Sequence, residues 1–401
     1  MWRHRGGEPD MQRKIMTGNA AAGFAMKQIN PDVVAAYPIT PQTELMETFC
    51  QFVADGAVNT NLVCVESEHS ALSACVGASA AGARVMTATS ANGFALMWEV
   101  VYIAASLRTP VIMTVVNRAL SGPINIHCDH SDTMGARDAG WVQIYCENSQ
   151  EAYDTVLMAV RIGENPKVML PVMIMYDGFI ISHTMEVLEV LDDDVVKKFV
   201  GQYQPEHYLL DINHPITVGP LDFHDYYFEH KRQQVDAMDE AKRVIPQVED
   251  EYFKLSGRRY GYFEEYKLAD AEYAIVVMSS TAGTAKPIVD ELRAQGEKVG
   301  LLRPRVFRPF PAAEMAAALS HLKGIAILDR VHSFGGYGGP LFTEVRSALA
   351  GLPKVPPSMG FVYGLGGRDT DLNQIRHAFA QAKKVASGQG VGSIEYLGVR
   401  E

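Results

Sequence analysis

The sequence predicts an α/β protein in which a doubly wound parallel sheet is followed by a second α/β domain, and three observations carry that reading. Short, wholly apolar runs alternate with segments of helical spacing from residue 17 to about 180. The alternation breaks down between about 188 and 268, then resumes from about 270 to 390. Strands that are apolar throughout, rather than at every second residue, are buried on both faces, and helices between them make the crossovers of a parallel sheet. In such sheets ligands bind beyond the carboxyl ends of the strands, which is where the polar residues deserve most scrutiny.

Taken in order, "TGNAAAGFAMKQI" has helical spacing, "VVAAYPIT" reads as a strand and "QTELMETFCQFV" as an amphipathic helix. "NLVCVESE" is the next strand and "HSALSACVGASAA" a helix of small residues. "RVMTATS" (strand), "GFALMWEVVYIAAS" (one helix), "PVIMTVVNRA" and "WVQIYCEN" (strands), "SQEAYDTVLMAVRIG" (helix) and "PVMIMYDGF" (strand) complete the first series. The charged and aromatic middle holds a long helix near 225 to 245. Beyond it come the strand "AEYAIVVMSS", a helix over 285–295, the strands "KVGLLRPRVFRPF" and "GIAILDRV", and a last helix "DLNQIRHAFAQAKKVA". The domain reading is therefore a tail over 1–14, a first domain over 15–187, a connecting arm over 188–268 and a second domain over 269–401.

The composition narrows the function. With 401 residues, 47% of them apolar, the chain is long enough for two or three cores. A formal charge of −11 argues against a general nucleic-acid or anionic-membrane binder, because phosphate surfaces select for clustered Lys and Arg. The apolar runs are too short to span a bilayer, so a cytoplasmic protein is expected. The five cysteines contain no C-x-x-C pair, and their odd number suits neither a disulfide framework nor an iron–sulfur loop.

Three segments carry candidate chemistry. In Tyr37-Pro38-Ile39-Thr40-Pro41 the prolines fix two backbone angles and push the residues before them out of the α region, holding Thr40 extended at a strand end. Thr40 then either faces a ligand or, with Thr43, caps the next helix. Glu66 and Glu68 stand two apart at the end of another strand and share one face of it. They are either a paired functional site, a solvated acidic loop end, or a carboxylate at a helix N-terminus, where the macrodipole favours its charge. The long loop "NRALSGPINIHCDHSDTMGARDAGW" gathers Arg118, His127, Asp129, His130, Asp132, Arg137 and Asp138. Without a fixed ligand spacing, the hydrogen-bonded loop is preferred to a metal site, and Arg118 is the candidate for a two-bond grip on a carboxylate. The glycine-rich pieces "GNAAAG", "GGYGGP" and "GLGGRD" satisfy no nucleotide-binding pattern.

Together, Tyr37 to Pro41, Glu66-Ser67-Glu68, "TATSANGFALM", "NRALSGPINI" and "DHSD" resemble the α subunit of the 2-oxoacid:ferredoxin oxidoreductases, pyruvate synthase among them. The resemblance is close over 15–185 and looser through "RPRVFRPFP" and "GLGGRD" to about 385. It implies a pyrimidine-binding domain for thiamine diphosphate and a transketolase C-terminal-like domain. By position, Glu68 resembles the carboxylate on the aminopyrimidine, with Tyr37, Pro38 and Ile39 beside the cofactor. Thr40 and Arg118 resemble the substrate-binding hydroxyl and guanidinium. The resemblance further implies a β subunit holding the diphosphate, Mg2+ and a 4Fe-4S cluster, with γ and δ subunits carrying further clusters. Coenzyme A is the cosubstrate and ferredoxin the acceptor. No metal ligand is expected in this chain.

One departure bears on specificity. Where a large aromatic is usual after "PINI", this chain has His127 and Cys128, both read as substrate-pocket residues. Pyruvate is the first expectation, with phenylglyoxylate or a branched-chain 2-oxoacid as alternatives. A non-catalytic assembly subunit is the rival of another class, and the joint presence of Thr40, Glu68 and Arg118 argues against it. A self-sufficient decarboxylase would need a diphosphate-binding G-D-G segment, which the sequence lacks.

Overall fold

The computed structural model describes residues 11–400. The first half runs β1 (Met11–Met16), α1 (Gly18–Ile29), β2 (Val33–Ala36), α2 (Thr43–Ala54), β3 (Asn61–Cys64), α3 (Glu68–Ala80), β4 (Val85–Thr89), α4 (Ala91–Leu96), α5 (Trp98–Ser106), β5 (Ile112–Asn117), α6 (Ser131–Gly135), β6 (Val142–Tyr145), α7 (Ser149–Gly163), β7 (Val172–Asp177) and β8 (Glu186–Leu191). Then follow α8 (Asp193–Val200), α9 (Tyr227–Ser256), β9 (Phe263–Tyr266), β10 (Tyr273–Val277), α10 (Ser280–Ala294), β11 (Val299–Pro304), β12 (Val306–Arg308), α11 (Ala312–Leu319), β13 (Gly324–Asp329), α12 (Pro340–Leu349), β14 (Ser358–Val362), α13 (Leu372–Ala386) and β15 (Ile394–Tyr396).

Seven strands form the first sheet in the order β12-β6-β7-β5-β4-β2-β3, all parallel except β12, which runs against β6. Every residue of β4, β5 and β7 is buried, as an apolar strand with helices on both faces must be. The second sheet, β15-β14-β13-β10-β11-β9, is parallel apart from β9. Local caps mark where helices begin. Ser67 accepts from the Ser70 amide, Asn148 from Glu151, and Asp371 forms a capping box with Gln374.

Several expectations need correcting. Residues 1–10 of the expected tail lie outside the described residues, and its end, from Met11, is a strand paired antiparallel with β8. The middle segment is not wholly separate: α9 is thirty residues long and buries Ala241, Val244, Ile245 and Tyr252 in the core beneath the first sheet. Strand β12 leaves the second half to pair with β6. A propensity reading cannot see such long-range pairing. The single helix read in "GFALMWEVVYIAAS" is two, meeting at Met97, and the helix expected over 285–295 begins at Ser280.

One apolar core joins the two sheets. Val101, Trp141 and Tyr145 from the first half of the chain share it with Leu268, Phe307, Met315 and Leu341 from the second half. Each fully buried side chain of this size contributes about 1.5–3 kcal/mol relative to exposure. The two halves are therefore packed against each other through a shared apolar core.

Candidate active site

Strand β2 ends at Ala36, and the next four residues climb out of the core: Tyr37, Pro38 and Thr40 are exposed and Ile39 is half-buried. Two side chains hold the turn through its backbone groups. Asn19 Nδ2 donates to the Pro41 carbonyl at 2.8 Å, and the Ile39 amide donates to Gln42 Oε1 at 3.2 Å. Thr40 lies in a turn and not in an extended strand end as expected, and the Thr40–Pro41 bond is cis. The capping alternative does not describe it either. The cap of α2 is Gln42, with no side-chain cap bond, and the Thr40 hydroxyl has no hydrogen-bond partner among the described residues.

Glu66 and Glu68 do not share a strand face. β3 stops at Cys64, Ser67 caps α3, and Glu68 is the first residue of that helix. Glu66 is exposed and pairs with the Ser70 hydroxyl, which lowers its pKa. Glu68 is 7% exposed, yet its carboxylate has neither an ion pair nor a hydrogen bond among the described residues. A helix N-terminus favours its charge. Unlike the hydroxyls of Thr89 and Ser90, its oxygens are not shut off from solvent, so the carboxylate is open to a ligand.

What faces Glu68 is the start of α4. A Cβ built on Gly93 would lie 2.5 Å from Glu68 Oε1 and 2.8 Å from Thr89 Oγ1. Gly93 thus leaves the space that the carboxylate uses. The buried hydroxyls of Thr89 and Ser90 also lack partners among the described residues. Thr89 Oγ1 therefore borders the same space at Gly93 as the Glu68 carboxylate, which suits a polar heterocycle with its own donors and acceptors.

Arg118 follows β5 and is 6% exposed. Its Nη1 donates to the Thr40 carbonyl at 2.8 Å and its Nε to the Asn125 carbonyl at 2.9 Å. Nη2 has no protein partner among the described residues. The expected two-bond grip on a carboxylate must therefore use the Nη1–Nη2 edge, with Nη1 already sharing one hydrogen with Thr40. The structure brings the Arg118 guanidinium to the backbone carbonyl of Thr40.

The same loop departs from expectation at His127 and Cys128. His127 is exposed and stacks near Phe179, with ring centroids 5.2 Å apart. Cys128 turns the other way, 1% exposed, and burial, reinforced by the Asp177 charge, pushes its thiol pKa up. The two residues do not line one surface. Cys128 Sγ, a His130 ring nitrogen and an Asp177 oxygen lie within 4.8 Å of one another. The neighbours are hydrogen-bonding groups: His130 Nε2 meets Asp177 Oδ1 at 2.8 Å, and Arg330 Nη1 meets Oδ2 at 3.0 Å. Burial raises the Asp177 pKa, but Arg330 and His130 more than reverse this, so it stays a carboxylate.

Sequence reasoning passed over the residue that organises the loop. Asp132 accepts hydrogen bonds from the amides of Ala91, Arg118 and Thr133 and from Asn117 Nδ2. Its place in "DHSD" was the available signal. Gly93 was missed as well, although it stands inside "TATSANGFALM". Neither an aspartate nor a glycine advertises its neighbours across the fold.

A family model described as the thiamine-diphosphate-binding part of pyruvate flavodoxin/ferredoxin oxidoreductase matches residues 24–250. The chain belongs to this family. A second model, described as core domain II of pyruvate:ferredoxin oxidoreductase, matches residues 271–375. The pyruvate synthase subunit PorA of Thermotoga maritima is 54% identical over 98% of this chain and 99% of its own length. PorA of Pyrococcus furiosus is 44% identical, over 97% and 98%. The ketoisovalerate oxidoreductase subunit VorA of Pyrococcus horikoshii is 43% identical, over 96% and 97%. Among solved structures, a 2-oxoglutarate:ferredoxin oxidoreductase from Magnetococcus marinus superposes with a TM-score of 0.71 at 20% identity, covering 93% of this chain and 65% of that one. A split-gene transketolase does so with a TM-score of 0.54 at 12% identity, covering 93% and 98%. These two likenesses support the expected α/β, thiamine-type architecture.

Proposed function

We propose that this chain is the α subunit of a thiamine-diphosphate-dependent 2-oxoacid:ferredoxin oxidoreductase that converts pyruvate and coenzyme A to acyl-CoA and carbon dioxide. The observation that carries the reading is the partnerless Glu68 carboxylate at Gly93, together with the contact between Arg118 and the Thr40 carbonyl. The residues present fit the cofactor. Glu68 would hold a ring nitrogen of the aminopyrimidine, and Tyr37, Pro38 and Ile39 form the rim beside it. When bound, thiamine diphosphate supplies a nucleophilic carbon and an electron sink for decarboxylation.

The chain's own residues do the rest. Glu68 holds a proton on the ring nitrogen and thereby fixes the ring's tautomer. Arg118 takes the oxoacid carboxylate on its free edge, and the Thr40 hydroxyl donates to the oxoacid oxygen. Two backbone carbonyls fix the guanidinium before substrate arrives, which removes part of the ordering cost at the reactive step. The site stands at the carboxyl ends of β2, β4 and β5, with Tyr37, Pro38 and Thr40 exposed and Glu68 and Arg118 buried.

The remaining parts belong to other chains in this reading. A β subunit would hold the diphosphate, Mg2+ and a 4Fe-4S cluster, and ferredoxin-like γ and δ subunits would carry electrons onward to ferredoxin. None of the five cysteines is in a disulfide, in keeping with a cytoplasmic home, and no helix among the described residues is long and apolar enough to cross a membrane. The VorA relatives, at 42–43% identity, stand only slightly further off than the archaeal PorA relatives at 44–45%, so a branched-chain oxoacid is the second reading of the substrate.

The test is anaerobic viologen reduction by the native complex with thiamine diphosphate and coenzyme A. Higher kcat/KM on pyruvate than on 2-oxoisovalerate or phenylglyoxylate supports the proposal. Preference for either larger acid transfers the specificity to the alternatives. No turnover by a complex with cofactor and clusters bound would leave the non-catalytic subunit as the reading.

A further inference from the structure

The loop carboxylate of Asp132 is 1% exposed and uses both oxygens. Oδ2 accepts from the Ala91 amide at 3.1 Å and the Arg118 amide at 3.0 Å. Oδ1 accepts from Asn117 Nδ2 and from the Thr133 amide, each at 2.8 Å. Ala91 opens α4, two residues before the Gly93 that faces Glu68, and holds a φ of 37°, a backbone angle that a non-glycine residue adopts only when its surroundings require it. Arg118 is the substrate-side guanidinium. A single oxygen thus grips the amide beneath each half of the site.

The only other bridge between these segments among the described side chains is Asn92 to Ser121. Asn92 Nδ2 reaches Ser121 Oγ at 2.5 Å and the Ser121 amide reaches Asn92 Oδ1 at 3.1 Å. Those bonds are exposed and compete with water, whereas the Asp132 bonds are buried and charge-assisted. When α4 shifts toward or away from a ligand on Glu68, Asp132 must follow it or lose a bond. Arg118 is tied to the same oxygen.

The geometry points to Asp132 as a positioning residue that couples the two halves of the site, so that filling the Glu68 side firms the Arg118 side before oxoacid binds. The inference rests on the functional reading above. It predicts that cofactor binding is felt at Arg118, and that the part of this coupling beyond the β4–β5 backbone ladder, which ends at the Thr89–Val115 pair, passes through one carboxylate.

Wild-type complex, stripped of cofactor and titrated with thiamine diphosphate, provides a test that needs no variant. Amide hydrogen exchange in segments 89–96 and 115–122 should slow together as cofactor binds. Slowing in 89–96 with 115–122 unchanged overturns the coupling alone. Failure of thiamine diphosphate to bind overturns both the functional reading and the coupling.

Asp132→Asn then assigns the coupling to the carboxylate. The isosteric amide presents a donor where an acceptor is needed, so exchange should rise in both segments while α13, in the second half, keeps its protection. The oxoacid KM should rise on the order of tenfold to 10²-fold, and thiamine diphosphate should no longer slow exchange in 115–122. A uniform rise in exchange across the chain marks a purely structural role and overturns the assignment. So does an unchanged KM.

Discussion

Arg118 Nη1 donates to the backbone carbonyl of Thr40 at 2.8 Å, across 78 residues of sequence. The residue expected to bind the oxoacid carboxylate is therefore positioned by the turn that presents the expected substrate hydroxyl. Arg118→Lys keeps the charge and loses the fork, so neither carbonyl is met in the same geometry. The oxoacid KM is expected to rise about 10- to 100-fold, with a smaller change in kcat. Steady-state kinetics of the assembled complex decide it, and an unchanged KM removes Arg118 from the binding site.

Glu68→Gln should bind cofactor more weakly and lower kcat by about 10²- to 10⁴-fold, the range for a positioned proton-transfer group. The variant is nearly isosteric, and Glu68 has no protein partner among the described residues, so thermal stability should barely move. Exchange of the thiazolium proton with deuterated solvent is the direct readout. A wild-type exchange rate in the variant would refute the assignment.

Gly93→Ala tests the same contact from the other side. The added methyl carbon would lie 2.5 Å from Glu68 Oε1, so the carboxylate must turn away or α4 must move. We expect loss of thiamine diphosphate affinity by about tenfold or more and an overpacking cost of about 1–3 kcal/mol. Calorimetric titration and thermal unfolding separate the two effects. Unchanged cofactor affinity shows that the space at Gly93 is not used.

Removing the Arg330 guanidinium as Arg330→Met leaves Asp177 in the interior without its cation. Both groups are at most 4% exposed on their side chains, and breaking such a pair costs about 3–5 kcal/mol. Denaturation of the assembled complex should show the loss. The double variant Arg330→Met/Asp177→Asn should recover part of it, and a double variant no better than the single one contradicts the pairing.

Asp329 gives a pH signature away from the site. It accepts the amides of Leu341 at 2.8 Å and Phe342 at 3.0 Å, but burial outweighs them and raises its pKa to about 7. A carboxyl raised above its unfolded value binds a proton more tightly when folded, so its stabilising contribution is complete below about pH 4 and is lost as pH rises through about 7. The melting temperature of Asp329→Asn should therefore gain on the wild type between pH 4 and 7. A constant difference across that window refutes the shift.

The alternation of apolar strands and helices, the break after β8 and the small-residue helices were legible in the chain, because burial on two faces dictates composition residue by residue. The motif residues Thr40, Glu68 and Arg118 were legible as types at strand ends. Their roles as neighbours were not. The sequence left open whether Glu68 was half of a carboxylate pair or stood at a helix N-terminus, and the end of β3 at Cys64 decided for the helix, facing Gly93. Cys128 looked like a pocket residue until the loop turned it toward Asp177 and Arg330, and β12 looked like part of the second domain until it paired with β6. Local sequence sets backbone preference and burial, so the elements and the candidate chemistry were already in it. Which side chains meet depends on contacts between residues far apart in the chain, such as Ala91, Arg118 and Asp132, and only packing decided those.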